Sequence, residues 1–225
     1  MDAIVLAGGL GTRLRPLVSD VPKPMAPVKG RPFLELLLEY WIGQGVRRFV
    51  LSVGYLAERV TGHFGTRWRG AEIDYAVEQQ PLGTGGGLLL AAAKATTKDV
   101  LVMNGDTYFA VPLEDLQGFH RECGADWTLA LFRSSDAKRY QGMGLEKDGR
   151  VSALAGELAN GGIYLFNSRK LQDVPWQGSQ RFSLESDLLP HALRNGWRVY
   201  GREFDRPFVD IGVPQDYQSA GAIIQ

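Results

Sequence analysis

Residues 6–16 read Leu-Ala-Gly-Gly-Leu-Gly-Thr-Arg-Leu-Arg-Pro, and Pro-Lys-Pro follows at residues 22–24. The apolar run at residues 3–6, directly before the glycines, is typical of a buried parallel strand. The glycines allow a ligand to approach the backbone N–H groups closely, and loops of this kind at the carboxyl end of a strand bind ligands in open α/β sheets. Arg13 and Lys23 add two fixed cations. Backbone donors together with arginine and lysine predict a polyphosphate site.

A tight turn flanked by ordinary surface cations is the alternative if the glycines alone are considered. Two standard phosphate-binding motifs do not fit this stretch. The dinucleotide-binding pattern needs a third glycine where the chain has Leu14, and a P-loop needs Gly-Lys followed by Ser or Thr. The full string is therefore more informative than its glycines.

The rest of the chain alternates between strand patterns and helix patterns. Predicted strands lie at 3–6, 49–53, 73–77, 100–103, 126–132 and 162–166, with a strand region from 199 to 210, and predicted helices lie at 33–42, 56–64, 88–95, 183–194 and from 214 onward. The glycines at 83–87 are expected to open the third helix, and Asp148-Gly149 to form a hairpin turn. Ser183 is a predicted N-cap. The alternation predicts a doubly wound, mostly parallel sheet.

Three loops that carry polar or glycine-rich sequence each follow a predicted strand, at 8–15, 78–87 and 104–107. We expect them to gather at one edge of the sheet. Asp106 follows a buried strand directly, and Asp210 follows Phe-Val. Such carboxylates must be solvated, hydrogen-bonded or bound to a cation, and Mg²⁺ prefers one or two carboxylates plus phosphate oxygens. The alternative from the residues alone is that each aspartate caps a neighbouring turn or helix.

Composition narrows the class of protein. The chain has 225 residues with 44% hydrophobic residues, which is enough for a sizeable core, and 25 basic side chains balance 25 acidic ones. This balance argues against a nucleic-acid partner, which normally calls for a basic excess. The single cysteine allows no disulfide framework within the chain. No apolar run approaches the ~20 residues of a membrane span, and the chain opens on a strand, so we expect no membrane partner, no signal peptide and a cytoplasmic location.

The string at residues 6–16 with the following Pro-Lys-Pro resembles the signature of sugar-1-phosphate nucleotidylyltransferases. Further agreement lies at Gly83-Thr84-Gly85-Gly86, Asn104-Gly105-Asp106 and Asp210-Ile211-Gly212-Val213-Pro214. The resemblance covers nearly the whole chain. Within the family it is closest to the short guanylyltransferases that act on D-glycero-D-manno-heptose 1-phosphate, because the stretches at 22–27, 32–35 and 78–86 are similar to that subgroup.

The resemblance implies a three-layer αβα, Rossmann-like fold with a doubly wound mixed sheet, of the nucleotide-diphospho-sugar transferase type. It implies a single domain over 1–225, with the nucleotide-binding part at roughly 1–110 and an interleaved sugar-binding part at roughly 111–225. The implied partners are GTP and a sugar 1-phosphate, the implied cofactor is Mg²⁺, and the expected state is a monomer or homodimer.

The implied reaction is attack by a sugar 1-phosphate oxygen on the α-phosphorus of a nucleoside triphosphate, with pyrophosphate leaving. Asp106 and Asp210 match the metal-binding aspartates of the family. The implied catalytic residues are Arg13, which would hold the β- and γ-phosphates, and Lys23, which would contact the α-phosphate or the incoming sugar phosphate. Such catalysis consists of positioning and electrostatic stabilisation.

The nucleotide is expected to contact residues of all three loops. These residues are Leu6, Ala7, Gly8, Gly9, Gly11, Thr12, Arg13, Glu78, Pro81, Gly83, Thr84, Asn104 and Gly105. Glu78 favours GTP, because a carboxylate only accepts hydrogen bonds and suits the N1–H and N2–H donors of guanine. Relatives that use thymidine or uridine triphosphates tend to carry an amide near this position. The alternative for Glu78 is a solvated charge at a strand end.

The expected sugar contacts are Gly142, Asn160, Gly161 and Glu185. Asn160-Gly161 is expected to precede a strand, as the Asn-Gly step of the family does, although Asn-Gly is also a common turn. Family members commonly carry a Glu-Lys pair upstream of this step, but residues 155–159 contain no lysine. Either another cation, Arg181 or Lys138, substitutes for it, or this loop is arranged differently.

Other activities remain open at this stage. Within the class they are a mannose 1-phosphate guanylyltransferase and an N-acetylmuramate 1-phosphate uridylyltransferase. From another class comes a non-catalytic, nucleotide-binding regulatory subunit. The presence of Arg13, Lys23, Asp106 and Asp210 argues against loss of catalysis.

Overall fold

The computed structural model describes residues 1–9, 11, 14, 18, 20–134 and 142–224. Its strands are β1 (Asp2–Ala7), β2 (Pro27–Val28), β3 (Arg31–Pro32), β4 (Arg48–Val53), β5 (Arg67–Trp68), β6 (Ala71–Val77), β7 (Asp99–Asn104), β8 (Thr107–Phe109), β9 (Trp127–Arg133), β10 (Gly142–Leu145), β11 (Val151–Asn167), β12 (Val199–Glu203) and β13 (Phe208–Asp210). Its α-helices are α1 (Phe33–Gly43), α2 (Ala57–Phe64), α3 (Gly83–Ala92), α4 (Leu113–Glu122), α5 (Ser168–Gln172), α6 (Leu189–Arg194) and α7 (Pro214–Ile223).

The described strands build one large mixed sheet in the order β12-β9-β11-β7-β1-β4-β6-β5, with β10 paired to β11. β1 lies at its centre, parallel to both β4 and β7, and β6 continues the parallel part beside β4. β11 enters antiparallel between β7 and β9. This topology confirms the predicted doubly wound mixed sheet, and it interleaves strands from both halves of the chain.

Helices cover both faces of the sheet. Successive residues of the central strand point to opposite faces, so each face contributes apolar side chains to its own core. Ala3 and Val5 of β1 belong to the core that also holds Phe33 and Leu37 of α1. Ile4 belongs to the other core, together with residues of α3, α5 and α6. These two apolar layers confirm the predicted three-layer αβα architecture. Within the part of the chain that the structure describes, no helix is both long and apolar enough to cross a membrane.

The sequence predicts the third helix at 88–95, with the glycines at 83–87 in the loop before it. The structure instead begins α3 at Gly83 and ends it at Ala92, so these glycines form its first turns. Their helix propensity is poor, so packing decides this outcome. A Cβ at Gly85 would lie 2.8 Å from the Phe182 ring and 3.1 Å from the Leu184 nitrogen. Only glycine lets the segment around residue 182 approach the helix so closely.

The prediction that Asn160-Gly161-Gly162 precedes a strand is wrong. These residues lie inside β11, where its register with β9 shifts between Asn160 and Ile163. Gly162 adopts a φ of +70°, and its N–H donates to Asn160 Oδ1 at 3.0 Å. The glycines therefore mark an irregularity within one long strand, a common role of glycine in sheets.

The predicted helix at 183–194 exists, but it begins as a π-helical turn, Leu184–Leu188, before α6. The Ser183 side chain accepts from the Ser186 N–H at 3.2 Å, which confirms the predicted N-cap. π-Helical turns are frequent at functional sites. This turn carries Glu185, and Ser183 is its N-cap; both residues line the cavity described in the next subsection.

Candidate active site

A cavity of about 650 Å³ opens at the carboxyl ends of β1 and β7. It is lined by Leu6, Ala7, Gly8, Gly9, Gly11, Lys23, Pro24, Glu78, Pro81, Gly83, Thr84, Gly87, Asn104, Asp106, Arg181, Ser183 and Glu185. The structure thus brings together the loops after β1, β6 and β7. This is the place where an open α/β sheet binds ligands.

Most of the expected nucleotide contacts line this cavity, but some expected residues do not. Gly105 lies behind the lining, where its N–H donates to the Leu6 carbonyl at 2.9 Å and holds β7 against β1. Thr12 and Arg13 lie outside the described residues, and so does Lys138. Their expected roles stay predictions.

Asp106 and Asp210 are brought together by a small two-stranded sheet. β8 and β13 pair antiparallel with Thr107 opposite Asp210, and the Ile211 N–H donates to the Asp106 carbonyl at 3.0 Å. The Lys23 ammonium bonds Asp106 Oδ2 and lies 3.8 Å from Asp210 Oδ1. The structure therefore joins the expected catalytic lysine and both expected metal ligands in one cluster.

This cluster fits a magnesium ion by two observations. The first is its donor set, two carboxylates, which are the hard oxygen ligands that Mg²⁺ prefers. The second is the Lys23 ammonium, which shows that the space between Asp106 and Asp210 accepts a positive charge. Among the described residues no group of three or more histidine, cysteine or acidic side chains could hold a metal.

Glu78 also lines the cavity and is packed against two glycines. Its Oε1 accepts from Ser52 Oγ at 3.1 Å and its Oε2 accepts from the Leu82 N–H at 3.1 Å. A Cβ at Gly8 would overlap the carboxylate, and one at Gly87 would lie 2.9 Å from Oε1. Burial raises the pKa of Glu78 above its usual range. The result is a fixed carboxylate that also borders a smaller cavity of about 220 Å³.

Glu185, another lining residue, belongs to a polar network. Its Oε2 accepts from Thr84 Oγ1 at 3.1 Å and from Ser183 Oγ at 3.3 Å, and its Oε1 accepts from the Tyr164 hydroxyl at 3.4 Å. Burial raises the pKa of the Tyr164 hydroxyl well above its usual value, so this group stays a neutral donor. Asn160 Nδ2 donates to that hydroxyl at 2.7 Å. Asn160 is thus linked to the cavity through Tyr164 and Glu185 and does not itself line it.

The other two expected sugar contacts lie away from the described cavity lining. Gly142 pairs with Ala159 between β10 and β11. A Cβ at Gly161 would lie 2.4 Å from the Phe109 ring and 3.0 Å from the Ala130 carbonyl, so this glycine serves close packing of the sheet. The roles of Gly142, Asn160 and Gly161 as direct sugar contacts stay predictions.

Arg181 provides the second cation of the described lining, beside Lys23. Its side chain is exposed and makes no ion pair with another described residue. The segment that carries it is fixed, because Phe182 N–H donates to the Leu82 carbonyl at 2.7 Å and Gly86 N–H donates to the Phe182 carbonyl at 2.9 Å. From the sequence alone, Arg181 was one of two cations considered as a substitute for a missing lysine. No local sequence pattern predicts that the segment near residue 182 packs against the segment near residue 83. Pro24, Gly87 and Ser183 were not expected in the lining.

Comparison with protein families gives a match to the nucleotidyl transferase model over residues 2–225. A D-glycero-alpha-D-manno-heptose 1-phosphate guanylyltransferase of Aneurinibacillus thermoaerophilus is 40% identical, covering 100% of this chain and 99% of the relative. A Campylobacter jejuni protein of the same name is 37% identical, covering 96% of this chain and 97% of the relative. Both similarities therefore extend over nearly the full length of the relatives.

Comparison with solved structures gives a similar result. The crystal structure of HddC from Yersinia pseudotuberculosis superposes with a TM-score of 0.87 at 30% identity, over 100% of this chain and 99% of that one. The same protein complexed with GMP-PN superposes with a TM-score of 0.86.

Proposed function

The chain belongs to the nucleotidyl transferase family, and from this premise we propose that it is a guanylyltransferase that converts D-glycero-D-manno-heptose 1-phosphate and GTP to GDP-heptose and pyrophosphate. The observation that carries the reaction class is the cluster of Lys23, Asp106 and Asp210 at a glycine-lined cavity. The names of the two full-length relatives and the guanine nucleotide analogue bound by the Yersinia protein support the choice of sugar and base.

The chemistry needs two polyanions to meet. A sugar phosphate oxygen attacks the α-phosphorus of GTP, a new P–O bond forms, and the bond from the α-phosphorus to the bridging oxygen breaks to release pyrophosphate. The nucleophile is already an anion, so the protein need not remove a proton. Its task is to align the two substrates and to neutralise their charge.

Lys23 and the two aspartates are suited to that task. We assign the Lys23 ammonium to the α-phosphate or the incoming sugar phosphate, since it already lies at the cavity wall. Asp106 and Asp210 would hold Mg²⁺, which would supply positive charge to neutralise the substrate phosphates. Arg13 would hold the β- and γ-phosphates, in keeping with its place in the signature loop.

Glu78 is the proposed reader of the base. Its carboxylate is fixed by Ser52 and Leu82 and lines the cavity beside Gly8. A fixed acceptor with two oxygens matches the adjacent N1–H and N2–H donors of guanine, whereas uracil offers one imide donor between two carbonyls. This difference supports GTP over UTP.

The sugar 1-phosphate is proposed to lie against Glu185 and Arg181. Glu185 is an acceptor at the cavity wall, held by Thr84, Ser183 and Tyr164, and it suits sugar hydroxyls. Arg181 lines the same cavity without an ion-pair partner among the described residues, so its guanidinium is available for a phosphate. We therefore propose that Arg181 substitutes for the lysine that residues 155–159 lack.

The product is an activated sugar, which a glycosyl transfer reaction would consume. We place the reaction in the cytoplasm, where GTP is made, and propose that it serves the synthesis of a bacterial surface polysaccharide.

Pyrophosphate release tests the proposed function. The purified protein is incubated with Mg²⁺, one of GTP, ATP, UTP or dTTP, and one of the 1-phosphates of D-glycero-D-manno-heptose, mannose, glucose and N-acetylmuramate. The proposal expects the highest kcat/KM with GTP and the heptose phosphate. A preference for mannose 1-phosphate or for UTP would replace the substrate assignment, and no release with any pair would favour a nucleotide-binding regulatory subunit.

A further inference from the structure

Lys23 lies directly against the two carboxylates that the proposed reaction needs as metal ligands. Its ammonium bonds Asp106 Oδ2 and lies 3.8 Å from Asp210 Oδ1, and its side chain is only 12% exposed. Two like charges held this close are costly unless a cation lies between them. In this structure the chain supplies that cation from its own signature motif.

The surrounding backbone is shaped to hold the lysine there. A Cβ at Gly212 would overlap Nζ and would lie 3.0 Å from Lys23 Cε, and the Gly212 N–H donates to Asp210 Oδ1 at 2.7 Å. On the other side, a Cβ at Gly11 would lie 2.9 Å from Lys23 Cβ. Two glycines of separate motifs thus make room for one extended lysine. This packing distinguishes Lys23 from a freely moving surface cation.

We propose that Lys23 is an internal counter-ion of the metal site: in the nucleotide-free protein its ammonium takes the place of the divalent cation on Asp106 and Asp210. When GTP and Mg²⁺ bind together, the ammonium leaves the carboxylates for the phosphates. This inference rests on the proposed function, because the ammonium needs a phosphate-bearing substrate to receive it.

The physical reason is competition for the same carboxylates. A divalent cation needs the Asp106 oxygen that the ammonium holds, and the two positive charges repel each other. Nucleotide phosphates relieve both effects, since they offer oxygen ligands to Mg²⁺ and new hydrogen-bond acceptors to Lys23. Metal and nucleotide therefore bind cooperatively, and the coupling is reciprocal. The protein alone holds divalent cations only weakly.

The test measures Mn²⁺ affinity without any nucleotide, by calorimetry and by electron paramagnetic resonance of free Mn²⁺. Removing the ammonium with Lys23→Met is expected to increase Mn²⁺ affinity at least about tenfold, within the roughly 5- to 150-fold range typical of coupled sites. Lys23→Gln, a second neutral variant, is expected to change the affinity in the same direction. Thermal melting verifies that each variant is folded.

Two controls separate a local effect from a change in net charge. Lys29→Met removes the same charge, but Lys29 donates to the Ile224 carbonyl at 2.9 Å and makes no ion pair with either aspartate, so wild-type Mn²⁺ affinity is expected. Combining Lys23→Met with Asp106→Asn is expected to abolish the gain, because the new affinity depends on that carboxylate.

The inference is overturned if folded Lys23→Met and Lys23→Gln proteins bind Mn²⁺ no more tightly than the wild type, or if Lys29→Met produces the same gain. These outcomes are separate from the proposed function. Pyrophosphate release by the wild type alongside equal Mn²⁺ affinities would remove only the counter-ion role, whereas absence of release would remove the reaction itself.

Discussion

The proposed choice of GTP depends most on Glu78. Its carboxylate accepts from Ser52 Oγ and the Leu82 N–H, and it fills space that Gly8 and Gly87 leave open, since a Cβ at either position would lie within 3 Å of Oε1. These two hydrogen bonds hold the carboxylate in place at the cavity lining. A fixed acceptor discriminates strongly, because a ligand that lacks the matching donors leaves it unpaired and desolvated.

Replacing this carboxylate by an amide tests base selection. In Glu78→Gln one acceptor oxygen becomes a donor that faces the guanine donors, so kcat/KM with GTP is expected to fall about 10- to 100-fold relative to UTP. Glu72→Gln is the matched control, since Glu72 lies on β6, which ends one residue before Glu78, and its side chain is exposed and outside the cavity lining. An unchanged ratio of GTP to UTP use in Glu78→Gln would contradict the assignment.

The raised pKa of Glu78 predicts a pH dependence. Burial disfavours the ionised form, so the carboxyl protonates at a higher pH than an ordinary glutamate. The protonated group loses acceptor capacity, and GTP affinity is therefore expected to fall as the pH decreases through that raised pKa. Calorimetric Kd values for GTP over an acidic pH series measure this loss. Glu78→Gln should lack this Glu78-dependent step, and persistence of the whole acid limb in that variant would assign it to another group.

Arg181 is the residue on which the proposed sugar-phosphate contact depends. Arg181→Met keeps much of the side-chain bulk but removes the guanidinium, so KM for the sugar 1-phosphate is expected to rise about tenfold while KM for GTP changes less. Arg194→Met, in the last turn of α6 and outside the cavity lining, is the control. Steady-state kinetics with each substrate varied in turn separate the two KM values. An equal rise in both would place Arg181 elsewhere in the reaction.

Helix α3 lines the cavity itself and also positions the segment that carries Glu185. Its glycine-rich first turns contact the segment around Phe182, and its N-terminal residues Gly83 and Thr84 line the cavity. Leu184 N–H donates to Thr84 Oγ1 at 2.9 Å, which fixes the π-helical turn against the helix. The close approach of these two segments therefore sets the position of Glu185.

Adding a methyl group at this contact is expected to separate the segments. Gly85→Ala would place its Cβ within 3.0 Å of the Ser183 backbone carbon, so we expect a loss of stability of about 1–3 kcal/mol together with a loss of activity. Gly62→Ala in α2 is the matched control. Its Cβ meets nothing within 4 Å, and alanine should stabilise the helix by roughly 0.5–1 kcal/mol. Urea unfolding midpoints compare the two variants, and a stabilised Gly85→Ala protein would show that the approach is not tight.

At the scale of the whole molecule, the alternating elements were predictable because they rest on local patterns. Apolar runs such as 100–103 mark buried strands, and the carboxyl ends of parallel strands meet at one edge, so the position of the cavity follows from the order of elements. Glycine was one source of error. In α3 and in β11 it permits close packing within an element, yet the sequence pattern alone indicates a break.

Contacts between residues that are far apart in the sequence could not be predicted either. The approach of Phe182 to Leu82 and the link from Asn160 through Tyr164 to Glu185 join residues from different elements. No local pattern encodes such pairs, since they depend on how whole layers pack. The Lys23 cluster is of the same kind, because it joins the loop after β1 to residues 106 and 210.

The central claim is that Lys23, Asp106 and Asp210 act together on one triphosphate to transfer its guanylyl group. ³¹P nuclear magnetic resonance of a reaction containing GTP, Mg²⁺ and D-glycero-D-manno-heptose 1-phosphate tests it most directly. We predict that wild-type protein produces pyrophosphate and a new sugar-linked diphosphate in equal amounts, and that Lys23→Met, Asp106→Asn and Asp210→Asn each slow this conversion at least about 100-fold. Formation of GDP and inorganic phosphate instead, or near-normal conversion by all three variants, would contradict the claim.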